Sequence, residues 1–134
     1  MVEKKTTIGV VGPCSAGKTT LINNLSQHGY TVKHIAQEHA YVKEMWELIG
    51  NPDVLIYLDV SYEQSMRRRP LNMSPQDFDE QIQRLSHAHQ HADYYLDTST
   101  LRAQEVFDRV MFYLRSNKIP PSDNRKRSTE NHGK

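Results

Sequence analysis

The chain has 134 residues, enough for one domain with a modest core. Charged residues make up 25% of it and the formal net charge is +1, so no global field points to nucleic acid or to a membrane surface. A single cysteine, Cys14, excludes an internal disulfide framework and fits a reducing, cytoplasmic setting, and no apolar run approaches the ~20 residues that cross a bilayer.

The opening MVEKKTTIGVV runs straight into a strand, so no leader peptide is expected. Ile8, Val10 and Val11 are apolar and mostly β-branched, as in a buried parallel strand. GPCSAGKTT follows at residues 12 to 20, with Gly12, Gly17, Lys18 and Thr19 in G-x-x-x-x-G-K-[ST] spacing. A loop of this kind turns backbone N–H groups around anionic oxygens, at the positive end of the next helix. Gly12, Pro13, Cys14, Ser15, Ala16, Gly17, Lys18, Thr19 and Thr20 are therefore the expected phosphate-binding residues. Lys18 is expected to reach the outer phosphates and the Thr19 hydroxyl to help hold Mg²⁺. Leu21, Ile22 and Leu25 mark one face of the following helix, and Gly29 ends it.

Residues 30 to 36, YTVKHIA, predict a second strand. Val42, Met45, Trp46 and Ile49 recur at i, i+3, i+4 and i+7 and predict a helix closed by Gly50. Residues 54 to 60, VLIYLDV, are the most apolar stretch and predict a central strand. Ser61 caps the next helix, with Gln64 in capping-box spacing; that helix carries Arg67, Arg68 and Arg69 and stops near Pro70. Ser74, Pro75 and Asp77 start another, with Phe78, Ile82, Leu85 and His89 on one face. His87 and His91 stand four apart and could share a metal, but no acid or cysteine completes a set. Residues 93 to 99 predict a last strand. Ala103, Val106, Phe107, Val110, Tyr113 and Leu114 share a face of the closing helix. The domain is taken as 1–116. Residues 117–134 read as a polar tail, disordered from Pro120, and NRKR at 124 to 127 suits a flexible tail better than a nucleic-acid contact.

Strands alternate with helices, which predicts an α/β fold: one three-layer domain with a mostly parallel sheet of about four strands. Ligands then bind at the carboxyl ends of the strands, where Gly12, Glu38, Asp59 and Thr98 gather. Phosphoryl transfer needs an acid near the metal. Glu38 is the expected one if the second strand lies beside the phosphate-loop strand, and Asp59 is its rival. NKIP at 117 to 120 lacks the aspartate of a GTPase base-recognition motif.

In this order the features resemble those of the small P-loop kinases, such as thymidylate, adenylylsulfate and shikimate kinases, over residues 6 to 115. PDVLIYLDVSYEQSMRRR resembles their hydrophobic strand, acidic end and helix leading into an arginine-bearing lid. ADYYLDTSTLRAQEV resembles their last strand, the turn bordering adenine and the closing helix. The resemblance implies ATP and Mg²⁺ as ligands and transfer to a small, nucleotide-like acceptor. It implies Arg67, then Arg68, at the transferring phosphate or the adenine, and Thr98 and Ser99 beside the base. One departure stands out: only QEHAYVKEMWELIGN occupies the place of an acceptor-binding insert and a further strand. A minimal core, an unusual acceptor, or a homodimer or other partner completing the site would each account for it. Two functions stay open, a kinase and a nucleotide-binding ATPase or regulatory module without an acceptor.

Overall fold

The computed structural model describes residues 5–70 and 72–122. Four strands, β1 (Thr7–Val11), β2 (Thr31–His34), β3 (Val54–Asp59) and β4 (Tyr94–Asp97), form one all-parallel sheet in the order β2-β1-β3-β4. Five α-helices accompany them among the described residues: α1 (Lys18–Gln27) between β1 and β2, α2 (Tyr62–Arg68), α3 (Pro75–Arg84) and α4 (Ser86–His91) between β3 and β4, and α5 (Ala103–Ser116) after β4. The strand with the phosphate-loop pattern at its end, β1, is central. β2 and β3 flank it, with Ile8 opposite both Val32 and Val54.

Side chains alternate across a strand, and both faces here are apolar. Ile8, Val10, Val54, Ile56 and Leu58 point to one core, closed by Leu21 and Leu25 of α1 and by Val106, Val110 and Leu114 of α5. Val11, Leu55 and Tyr57 point to the other, closed by Ile35, Trp46, Leu85 and Ala88. The result is the expected three-layer α/β arrangement. Ser61 Oγ accepts from Gln64 N at 3.1 Å to start α2, and Ser74 and Asp77 form a complete capping box at the start of α3.

Three expectations change. The helix predicted around Val42 to Gly50 is a loop ending in one wide π-helical turn, Trp46–Gly50. Gln37 explains this. Fully buried, its amide accepts from Trp46 N at 2.7 Å and donates to Val42 O at 2.9 Å and Arg84 O at 3.2 Å. These bonds supply the segment's backbone partners in place of a helical ladder. Only Trp46 of the predicted face is buried, Val42 and Ile49 are exposed, and Asn51, not Gly50, takes the left-handed closing position. Second, the helix from Pro75 breaks at Leu85, whose N–H reaches both Gln81 O and Ile82 O. The tighter turn redirects α4, so His89 is exposed and stacks on Tyr57 and Tyr95, with centroids 4.6 and 4.9 Å apart. Third, residues beyond Ser116 pack on the domain. Ile119 lies against the α1–α5 core, its carbonyl accepts from Tyr30 Oη, and Ser122 Oγ donates to Thr6 O. The tail from 123 on, NRKR included, lies outside the described residues.

Candidate functional site

The segment between β1 and α1 is held from four sides. Gly12 has φ 155°, and a Cβ there would stand 2.0 Å from the carbonyl oxygen of Leu58, so no side chain fits. Gly17, at φ 98°, is the N-cap of α1 and offers no side-chain cap to the first-turn N–H groups of Lys18, Thr19 and Thr20. Gln81 of α3 accepts from Cys14 N at 3.0 Å and places its Nε2 3.2 Å from Cys14 Sγ. Ser65 of α2 donates to Cys14 O at 3.0 Å.

Arg68 ties the loop to the end of β4. Its guanidinium donates to Ser15 O at 2.9 Å, to Thr98 Oγ1 at 3.0 Å and to Thr98 O. Burial lowers its pKa from the usual high value, and nearby Asp97 opposes that shift. Thr98, 1% exposed, bonds Ala16 O and Asp59 O as well. Asp97 is held below the ordinary carboxylate range, first by the Ser99 hydroxyl at 2.7 Å and then by the Ser99 N–H at 3.0 Å.

Two cavities flank the loop and share Ser15, Gly17, Thr20 and Arg68. The smaller, about 180 Å³, is walled by Leu21, Leu101, Ala103 and Val106. The larger, about 480 Å³, has Lys18, Thr19, Glu38, His39 and Arg69 on its wall.

Lys18 departs from expectation. It is only 6% exposed and turned into the loop, where Nζ donates to Gly12 O at 2.6 Å, Pro13 O at 3.1 Å and Glu38 Oε2 at 3.0 Å. Glu38 follows β2, beside the central strand, as the expected position requires, and it is buried. Its second oxygen, Oε1, and the Ser15 hydroxyl are buried without a hydrogen-bond partner among the described residues.

The remaining candidates divide. Gly12 and Pro13 serve through their carbonyls. Cys14, Ser15, Ala16, Gly17, Thr19 and Thr20 line one or both cavities. Asp59 lines neither; its Oδ1 accepts from Val60 N at 2.8 Å and its Oδ2 from Tyr95 Oη at 2.6 Å. Arg67 is exposed and lines neither, because consecutive helical residues point in different directions and Arg68 takes the inward one. Ser99 bonds Asp97 and Ser61 N rather than facing a cavity. His87 Nδ1 accepts from Trp46 Nε1 at 3.0 Å, which commits it to structure. Sequence reasoning missed Gln81, Ser65 and Leu101. A glutamine in a polar helix carries no spacing signal for contact with a loop 67 residues away.

Among the described residues no helix is long and apolar enough to cross a membrane. No protein-family model matches the sequence, and no curated protein matches it.

Proposed function

We propose that the chain is a Mg²⁺-dependent, ATP-binding phosphotransferase of the P-loop kinase type, with a small, nucleotide-like acceptor. One observation carries the reading: a cavity with a wall of Leu21, Leu101, Ala103 and Val106 and a second one bearing Lys18, Glu38, His39 and Arg69 meet across the same glycine-rich loop, joined at Ser15, Gly17, Thr20 and Arg68. A molecule with a flat apolar base at one end and phosphates at the other suits that pair.

The residues present fit Mg·ATP. The Ser15 hydroxyl and Glu38 Oε1 are buried polar atoms without partners among the described residues, and both residues line the larger cavity. Bound Mg·ATP supplies the transferable phosphoryl group. Leu21, Leu101 and Val106 exclude water from the base. The uncapped N–H groups at the start of α1 bind phosphate oxygens. Thr19 and Glu38 hold the metal, Glu38 directly or through water. Arg68 and Lys18 stabilise negative charge on the transferring group. The acceptor enters on the side of His34, His39 and Arg69.

A second reading, a nucleotide-binding ATPase or regulatory module, is favoured by the loop at 40–45, which builds no acceptor subdomain. An ADP-release assay separates the two. In the phosphotransferase, nucleoside monophosphates or other small hydroxyl acceptors accelerate ADP release and gain phosphate. Release that no acceptor in a broad panel stimulates favours the module, and failure to bind ATP removes both.

A further inference from the structure

Cys14 of the loop and Glu38 and His39 after β2 form a cluster that shares Glu38 with the proposed nucleotide site. Cys14 Sγ is 4.0 Å from His39 Nε2, which is 3.8 Å from Glu38 Oε2. One ligand atom from each of Cys14, Glu38 and His39 falls within 4.8 Å of the others. Thiolate, imidazole and carboxylate are together the ligand set of a borderline-soft divalent ion, whereas Mg²⁺ takes oxygen alone. We infer that Cys14, Glu38 and His39 form a binding site for a transition-metal dication of the Zn²⁺ class. This inference does not rest on nucleotide binding.

The strongest support is the three-residue cluster itself, built on a buried carboxylate. Glu38 is 4% exposed, Lys18 takes only its Oε2, and Oε1 has no partner among the described residues. The oxygen 3.8 Å from His39 Nε2 is Oε2, which Lys18 also holds, so a cation there shares the carboxylate with a lysine whose charge is spread over two carbonyls. Tetrahedral bonds of about 2.0–2.3 Å put ligand atoms roughly 3.3–3.8 Å apart, so the longest pair closes by about 1 Å. His39 is able to move, since its side chain is 60% exposed. The other two ligands are held: Gln81 Nε2 lies 3.2 Å from the sulfur, and the Glu38 carbonyl accepts from Arg84 at 3.4 Å. Three protein ligands facing a cavity leave the fourth position to water. Binding converts the Cys14 thiol to thiolate and releases its proton to solvent.

The single cysteine makes the test unambiguous. Co²⁺ is titrated into the full chain, free of nucleotide and reductant, and the thiolate-to-cobalt charge-transfer band in the near ultraviolet is recorded. Because Cys14 is the only thiol in the sequence, the band reports this site and no other. The band is expected to saturate at one ion per chain, to disappear on adding Zn²⁺, and to be absent in Cys14→Ser. His39→Ala, exposed and so expected to fold, should weaken Co²⁺ binding by roughly tenfold or more. Absence of the band in the wild-type chain, or unchanged affinity in His39→Ala, overturns the assignment. Circular dichroism confirms that both variants remain folded.

Discussion

Lys18 and Glu38 form an ion pair with side chains only 6% and 5% exposed. Removing one partner from such a pair leaves the other charge buried and uncompensated, at a cost of about 3–5 kcal/mol. Lys18→Ala is therefore expected to destabilise the fold as well as to impair binding, unlike a lysine that projects freely at a ligand. Adding Glu38→Gln to Lys18→Ala should recover much of that loss in urea unfolding, because no buried charge remains. An additive double mutant would show that the two residues act independently. The arginines make a sharper contrast. Arg68 joins Ser15 to Thr98 and faces both cavities, while Arg67 faces solvent. Arg68→Ala should weaken ATP binding by about 1.5–3 kcal/mol, the scale of a lost charged hydrogen bond, and Arg67→Ala should leave it unchanged. Equal effects of the two changes would remove Arg68 from the nucleotide site.

At the scale of elements, the turn after β4 is where acid acts. The Ser99 hydroxyl and N–H hold the Asp97 carboxyl below its ordinary value of 3.8. A depressed value means that the folded state prefers the carboxylate. Its contribution to stability is complete above the ordinary value and fades as pH falls from there through the lowered folded value. Asp97 is largely exposed, so the effect is small, and Asp97→Asn should slightly flatten the acid limb of an unfolding-against-pH curve. An unaltered limb would mean that the Ser99 bonds are not maintained in solution. Most elements were legible from sequence because each depends on its own residues: β1 and β3 on continuous apolar runs, α3 on Ser74, Pro75 and Asp77, and α5 on its periodic face. The segment at 37–50 was not. Val42, Met45, Trp46 and Ile49 carry helical spacing, but Gln37, fully buried and bonded to Trp46 N and Val42 O, overrides it. The choice between Arg67 and Arg68 was equally hidden, since it depends on how α2 is rotated against the loop. The position of Glu38 beside the loop was legible because it needed only the order of β1 and β2.

For the whole molecule, the folded unit does not stop at α5. Ile119 packs on the core, its N–H reaches Leu114 O at 2.8 Å, and Ser122 bonds Thr6 O. Truncation after Ser116 should cost about 1–2 kcal/mol, the scale of one partly buried aliphatic side chain. Truncation after Ser122 should cost nothing measurable, since residues 123–134 contain no apolar side chain. Thermal melts of the two shortened chains check this, and equal melting temperatures would deny that Ile119 is part of the core. Titration calorimetry with ATP, in the presence and absence of Mg²⁺, tests nucleotide binding across the two cavities most directly. One ATP should bind per chain, tighter with Mg²⁺ than without and weakened by Thr19→Ala and Glu38→Gln only when the metal is present. No binding at millimolar Mg·ATP, or binding indifferent to metal and to both substitutions, would contradict it.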